Sequence, residues 1–543
     1  MEIFKKTTSK FYYNFVLAIS KNKGIGFKGK LPWDLPADMK HFKTVTTKVF
    51  SDSNTELNLM KEKFSITGKD LFKEITNKPA DASENKIKNM VVMGKATWNS
   101  LPKKFKPLPD RINVVLSRNQ EFIKNNPNQD GKFYTASSLE EIFKISSELK
   151  DKNLLNEIFI IGGKNTYEEF LKNYPDLCKV IFQTYIAKDF ESDTFLDIPK
   201  NFEPIFVSKT FADQKEKPDT TFDFRILFNT DIVKNKENSE KFDRVVNPFF
   251  FDQYPKHEEY QYLEEMKDIL ENGHSKEDRT GVGTISKFGV RMSFDLSHTF
   301  PLITTKDTFW RGIVEELLWF IKADTNAKNL QDKKVHIWDG NSSREYLDSI
   351  GLKERDEGDL GPIYGFQWRH FGAQYKTMND DYTNQGHDQL GNIITQLRNN
   401  PNDRRMIMSA WNPVDLKKMA LPPCHVLSQF YVEEGNKLSL QMYQRSGDMG
   451  LGIPFNIASY SLLLRMVAQV VGLKPGRFIH IIGDAHIYKS HVEAVKKQIN
   501  RTPKPFPILR VNPMVKNVED FVFEDFTLVN YNHWPKIKME MAV

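Results

Sequence analysis

A charged, asparagine-rich run from Thr230 to Pro255, with Lys234-Asn235-Lys236-Glu237-Asn238 at its heart, separates two stretches that are each apolar enough to bury a core. At 543 residues the chain exceeds what one hydrophobic core supports, so the run marks a boundary. The expected organisation is a first domain over 1–229, a linker over 230–256 ending in the docking segment Phe249-Phe250-Phe251, and a second domain over 257–543. A hydrophobic fraction of 39% with 41 phenylalanines excludes a largely disordered chain. With 77 basic against 71 acidic residues, nothing in the charge calls for nucleic acid as an obligatory partner. Two cysteines, Cys178 and Cys424, exclude a disulfide framework and a four-cysteine metal site, and they fit a reducing, cytoplasmic setting. The apolar stretch from Ile453 to Leu473 contains Asn456, Arg465 and Gln469, which makes it a buried helix rather than a membrane span.

Short apolar runs at Phe15–Ser20, Asn89–Met93, Ile112–Leu116, Ile158–Ile161 and Val180–Tyr185 read as buried strands. Helical patterns fall between them: one after Pro36, one opened by Ser138 with Glu141 completing a capping box, and one through Asn165–Leu171. This alternation predicts an α/β domain with a central mixed, mostly parallel sheet and flanking helices. Residues 48–88 interrupt it with a polar insertion that carries no catalytic duty. The second half predicts an α+β domain, with helices at about 257–272, 308–322, 454–471 and 487–499 and strands near 406–411, 427–433 and 437–444.

In the first half, Gly24-Ile25-Gly26-Phe27-Lys28-Gly29 matches the spacing of a dinucleotide fingerprint, but Lys30-Leu31-Pro32-Trp33 follows it where a helix is required. A flexible loop over a site fits better. Asp38 alone reads as an acidic residue complementing a helix dipole. Ala18, the glycine loop, Leu31-Pro32-Trp33, Asp38 and Phe42 together resemble dihydrofolate reductase. The resemblance runs on through Val92-Met93-Gly94-Lys95-Ala96-Thr97-Trp98, Arg111 to Arg118, Ile160-Ile161-Gly162-Gly163 and Phe190 to Thr194. It implies that Asp38 grips the pterin and promotes protonation at N5, a task suited to a carboxyl raised by desolvation. It further implies that Phe42 packs on the folate ring, that Arg111 pairs with the tail carboxylate, and that Thr184 completes the polar floor. Ala18, Ile25, Gly94, Lys95, Thr97, Ser117, Arg118, Gly162 and Gly163 would hold NADPH, the two adjacent glycines by allowing close backbone approach.

In the second half, Leu421-Pro422-Pro423-Cys424-His425 presents a cysteine that alone reads as a small buried hydrophobe. A nucleophilic role needs cationic neighbours, and Arg279, Arg404, Arg405, Arg445 and Ser446 on strand ends and loops offer a phosphate cup. Along the helix 308–322, Glu315 falls on a polar face near Arg311 and Lys322, whereas Glu316 projects from an apolar stripe and must be paired, protonated or functional. Asn456, in the first turn after Pro454 on a helix closed by Gly472, can cap that helix or read a pyrimidine edge. With Ile337-Trp338-Asp339, Gly361 to Arg369, Gly483 to Tyr488 and Lys538 to Val543, these residues are very similar to thymidylate synthase over about 257–543. The resemblance implies attack of Cys424 on C6 of dUMP, with 5,10-methylenetetrahydrofolate as co-substrate. Arg279, Arg445 and Ser446 would bind phosphate with Arg404 and Arg405 lent by a second subunit, so a homodimer is expected. Asn456 would select uracil, His486 and Tyr488 would bind the ribose, and Asp448 would contact cofactor and loop. Glu316 would assist proton transfers, while Trp338 and Tyr364 would line the folate site and proton path.

The combined expectation is a folate enzyme with two activities, using NADPH and no metal, acting on dUMP and dihydrofolate and independent of membranes. Two alternatives stand beside it. A pyrimidine hydroxymethylase on the same fold is disfavoured by Asn456, since a cytosine reader would use Asp. An inactive scaffold or RNA-binding relative is disfavoured by the presence of Asp38, Cys424, Asn456 and the arginines.

Overall fold

The computed structural model describes residues 11–49, 87–213, 219–231, 251, 253–277 and 281–541. Most of the polar insertion, nearly all of the linker, and Arg279 lie outside the described residues. The chain divides into two units, Met1–Lys209 with Phe222–Lys256, and Thr210–Thr221 with His257–Val543. Linear pattern gives no sign that Thr210–Thr221 belongs to the second unit. It is tied there by Phe506, whose N–H donates to Thr210 Oγ1 at 3.0 Å.

The first unit is built on a mixed sheet of β1 (Tyr13–Ser20), β2 (Lys88–Gly94), β3 (Ile112–Leu116), β4 (Phe133–Ala136), β5 (Leu155–Gly162), β6 (Cys178–Ile186), β7 (Phe202–Val207) and β8 (Thr221–Asn229). The spatial order is β8-β6-β1-β5-β2-β3-β4, with β7 on β8. Pairings from β6 to β4 are parallel, and β8 is antiparallel to both its neighbours. Strands covered on both faces need continuous apolar runs, and Met90 to Met93 and Val114-Val115 are wholly buried. The crossovers are α1 (Pro36–Thr47), α2 (Lys95–Ser100), α3 (Leu139–Asp151) and α4 (Lys164–Asn173). Helix α3 departs from the expected capping box in one arm. Ser138 accepts from Glu141 N at 3.3 Å, but the Glu141 carboxylate bonds Ser137 N at 2.6 Å rather than Ser138.

The second unit packs α5 (Glu259–Asn272), α6 (Trp310–Ile321), α7 (Tyr364–His370), α8 (Gly452–Val471) and α9 (Val492–Ile499) with a sheet ordered β9-β13-β12-β11-β10. Its strands are β9 (Thr284–Asp295), β10 (Ile407–Ser409), β11 (His425–Glu433), β12 (Lys437–Asp448) and β13 (Lys474–Tyr488). Only β12 and β13 run parallel. The sequence reading lacked β9 and β13, and began α9 at 487 where β13 is still running. Both strands carry Lys, Arg, His or Asp among their alternating apolar residues, which lowers the apolar signal below that of the first unit's strands.

Helix α8 is buried from Ile453 through Leu464 except at Phe455, as its nearly unbroken apolar sequence requires. No helix among the described residues is long and apolar enough to cross a membrane. Gly472 ends α8 at φ +73°, with its N–H on Gln469 O and Leu473 N–H on Ala468 O. A side chain there would meet nothing within 4 Å, so its cost is conformational only. Gly472→Val should therefore destabilise the second unit by about 1–2 kcal/mol, read as a lowered urea midpoint with synthase chemistry intact.

Candidate active sites

The second unit encloses a cavity of about 1310 Å³ whose wall includes Cys424, Arg445, Ser446, Asp448, Asn456, His486, Tyr488, Glu316, Trp338 and Tyr364. Ten sequence-predicted residues thus meet on one surface. Cys424 immediately precedes β11, and its carbonyl accepts from Arg445 N on β12 at 2.9 Å while its N–H donates to Tyr364 Oη at 2.9 Å. The half-buried thiol is therefore held from both sides. The Arg445 guanidinium donates to the carbonyls of Pro422 and Pro423 at 2.9 and 3.0 Å, so the proline pair aims the cation that faces the thiol. Burial raises the Cys424 thiol above its ordinary value, with Arg445 and the Tyr364 hydroxyl pulling it back. Desolvation thus outweighs the one described arginine beside the sulfur.

Glu316 behaves as its apolar stripe demands. Burial pushes its carboxyl up to about 7, and the only side chain opposing the shift is Trp338, whose Nε1–H donates at 2.8 Å. Glu315 is buried too, and it pairs with Arg311 at 3.8 Å as its spacing implies and with Lys333 at 2.7 Å in place of Lys322. Asp448 goes the other way: burial would raise it, but His491 and the N–H groups of Gly450 and Leu451 hold it below the usual carboxylate range. Asn456 lies two residues deeper in α8 than expected, because the helix begins at Gly452, and its Oδ1 accepts from Gln444 Nε2 at 3.0 Å. Arg404 and Arg405 precede β10 and do not line the cavity; the Arg405 side chain is 91% exposed.

In the first unit Gly94, Ser117, Gly162 and Gly163 lie at the carboxyl ends of parallel strands, where α/β sheets bind ligands, while Arg111 stands at the amino end of β3. Ala18 on β1 is in register with Thr184 on β6, and Gly94 on β2 with Leu116 just before Ser117 and Arg118. Asp38, buried in the first turn of α1 behind Pro36, accepts from Thr184 Oγ1 at 2.6 Å. Burial raises its carboxyl to about 6 against that hydrogen bond. Arg111 is buried, donates to Thr46 Oγ1 at 2.7 Å and sits 5.7 Å over the Phe42 ring. No carboxylate pairs with it among the described residues, which leaves the cation available to an anionic tail. Gly24–Gly26, expected as a flexible loop, instead pairs antiparallel with Thr194–Phe195, and Lys28 N donates to Asp193 at 2.7 Å.

A dinucleotide phosphate fits here for a reason the sequence reading did not give. Gly94 and Gly163 are the N-caps of α2 and α4, and no side chain caps either helix, so both N-termini keep N–H groups for an anion. A Cβ on Gly162 or Gly163 would approach Thr97 Oγ1 at 3.1 or 3.2 Å, so this corner suits glycine. The peptide between them is cis. Ile25, Lys95 and Thr97 are half-buried around the same corner, Ser117 is buried, and Arg118 reaches into solvent to pair with Glu169 at 2.8 Å. No group of His, Cys, Asp and Glu among the described residues could hold a metal. The second-unit cavity also has wall residues the sequence reading passed over, notably Lys306, Gln444 and His425. Gln444 was hidden because a glutamine inside a strand has no spacing signal.

A family model for thymidylate synthase matches residues 260–543, and one for dihydrofolate reductase matches residues 13–50 and 76–228. One half is thus of the synthase class and the other of the reductase class. Bifunctional dihydrofolate reductase-thymidylate synthase 2 of Arabidopsis thaliana is 47% identical over 543 residues, spanning 98% of this chain and 88% of the relative. The bifunctional dihydrofolate reductase-thymidylate synthase of Zea mays is 46% identical, covering 98% of this chain and 97% of its own. That of Plasmodium chabaudi is 44% identical, covering 96% and 94%. The chain belongs to the bifunctional dihydrofolate reductase-thymidylate synthase family.

Glu316 holds its proton to about pH 7 when folded, against 4.5 for an unperturbed carboxyl. Its contribution to stability is therefore complete below pH 4.5 and is lost as pH rises through 7. Glu316→Gln keeps an acceptor for Trp338 and removes the titration. Relative to the parent it should gain about 3 kcal/mol between roughly pH 5 and pH 8, measured by urea unfolding at both values. A difference that does not change with pH would mean the carboxyl titrates normally.

Proposed function

We propose that the second unit converts dUMP and 5,10-methylenetetrahydrofolate to dTMP and dihydrofolate, and that the first reduces dihydrofolate to tetrahydrofolate with NADPH. The observation that carries this reading is the convergence of the Cys424 thiol, the Arg445 guanidinium and the Asn456 amide on one cavity. Cys424 adds to C6 of the pyrimidine, which makes C5 nucleophilic toward the one-carbon unit of the folate; Glu316, protonated near neutral pH, exchanges protons with the base. Arg445, Ser446 and Arg279 take the phosphate, His486 and Tyr488 the ribose, and Asp448 and Trp338 contact the folate. Arg445 serves both groups: its cation receives the anionic phosphate and favours the thiolate of Cys424 beside it.

In the first unit NADPH, when bound, supplies the hydride. Asp38 anchors the pterin and provides the proton for N5, Phe42 packs on the ring, and Arg111 receives the tail carboxylate. The amides at Gly94 and Gly163, with Lys95, Thr97, Ser117 and Arg118, receive the phosphates. A thiol nucleophile must stay reduced, so we place the protein in the cytoplasm.

We infer a homodimer through the second unit. One face of its sheet carries Ile407, Tyr431 and Tyr443 at 42%, 60% and 37% exposure, and on β13 Ile481 stands in register with Tyr443 and Ile479 with Gln441. Such a face on a two-fold axis buries apolar surface and lets Arg404 and Arg405 of the partner subunit complete the phosphate cup.

Two sets of variants test these readings. Cys424→Ala should abolish dTMP formation by at least about a thousandfold and spare dihydrofolate reduction, while Asp38→Asn should do the reverse, both followed by absorbance on the purified full chain. Retained dTMP synthesis in Cys424→Ala would refute the nucleophile. Tyr431→Asp should shift the protein to monomer in sedimentation and remove synthase activity while reductase activity persists; an active monomer would sink the shared site.

A further inference from the structure

We propose that His480 is a positioning residue for nucleotide selection, fixing through Gln444 which hydrogen-bonding groups Asn456 presents to the pyrimidine. The inference rests on the reading of Asn456 as the group that faces the base. Behind Asn456 runs a buried chain of three side chains. Gln444 Nε2 donates to Ser446 O at 2.9 Å and to Asn456 Oδ1 at 3.0 Å, and Gln444 Oε1 lies 2.8 Å from His480 Nε2.

The sense of each bond follows from the one acceptor that cannot be reversed. Ser446 O is a backbone carbonyl, so the nitrogen of the Gln444 amide must be on its side and the oxygen must face His480. His480 is fully buried between β12 and β9, opposite Met442 and Met292, and burial lowers its imidazole to about 3. It is neutral and carries one N–H. A proton on Nδ1 would set two lone pairs against each other across 2.8 Å, so the hydrogen sits on Nε2. His480 Nδ1 has no partner among the described residues, so the ring is held on the sheet by the Gln444 bond alone among its polar contacts.

This sense passes on to Asn456. With Gln444 Nε2–H pointing at it, Asn456 must turn its oxygen toward Gln444, since a flipped amide would oppose N–H to N–H. Its Oδ1 keeps one lone pair and its Nδ2 keeps donors for a ligand. Uracil offers a donor at N3 and an acceptor at O4, matching that pair. Cytosine offers an acceptor at N3 and a donor at the 4-amino group, and matches only the flipped amide. An Asn free to turn would serve both bases, so the discrimination resides in the lock and not in the amide alone. Two contacts hold the lock at Gln444, Ser446 O and His480, and only the second is a side chain.

The test compares equilibrium binding of dUMP and dCMP, and kcat and KM for dUMP, in the full chain with His480→Phe, His480→Gln and Asn456→Ala. His480→Phe keeps the ring volume and removes the donor. The ratio of dUMP to dCMP affinity should fall about tenfold, through weaker dUMP binding with dCMP unchanged or tighter. His480→Gln, which can place an N–H near the same point, should restore most of the ratio. Equal weakening of both nucleotides, or an unchanged ratio in His480→Phe, would overturn the proposal. If Asn456→Ala collapses the ratio and His480→Phe does not, the relay fails while the base-reading role stands; if neither changes it, both fail. A measurement on the unmodified chain covers the case of a variant that does not fold. Histidine-selective nitrogen labelling should show His480 protonated on Nε2, and a proton on Nδ1 would refute the lock.

Discussion

Desolvation of the cavity wall around Cys424 sets the ionisation of the groups that share it. The same burial that raises the Cys424 thiol raises Glu316 to about 7, and would raise Asp448 were it not for His491 and the amides of Gly450 and Leu451. Three acids on one surface are thus separated by what bonds to them and not by distance from water. Glu316 has a single indole N–H and remains a proton store. Asp448 has backbone donors and remains an anion. Cys424 has Arg445 and the Tyr364 hydroxyl to oppose its burial, and it still stands above an ordinary thiol.

The first unit's fold was legible because its strands are covered on both faces. A strand such as Met90-Val91-Val92-Met93 has no polar residue to confuse the pattern, and the helices between such strands could be placed from Pro36 and Ser138. The second unit was harder for the complementary reason. Strand β13 carries Arg477 on an open face, His480 in the interior, and Asp484 and His486 at the end that forms part of the cavity wall. Two of the residues that obscure the strand thus belong to the site. The candidate site was legible where a residue violates its surroundings, as Glu316 does on an apolar stripe. It was illegible where polar residues satisfy one another: Gln444 and His480 are paired and buried, and neither spacing nor composition marks them. Glu315 was legible in part: Arg311 pairs with it at 3.8 Å as the helical spacing implies, but Lys333, outside that helix, pairs more closely at 2.7 Å and the carboxylate is buried.

The two units solve one chemical problem by the same means. In the proposed chemistry each delivers a proton to a heterocycle near neutral pH, where an ordinary carboxyl with a pKa near 4 is almost wholly ionised. In the first unit Asp38 is buried in the opening turn of α1 and receives one hydrogen bond from the Thr184 hydroxyl. In the second, Glu316 is buried in the middle of α6 and receives one from the Trp338 indole. Asp448 differs because His491 acts on it together with the Gly450 amide, whereas Glu259, buried and bonded by Thr304 and Thr305, stays raised. The neutral donor orients the carboxyl at small electrostatic cost, whereas an arginine or lysine in its place would hold it ionised. Burial raises the two by nearly the same amount: Asp38 starts from 3.8 and reaches about 6, Glu316 starts from 4.5 and reaches about 7, so the difference between them is mainly that between an aspartate and a glutamate.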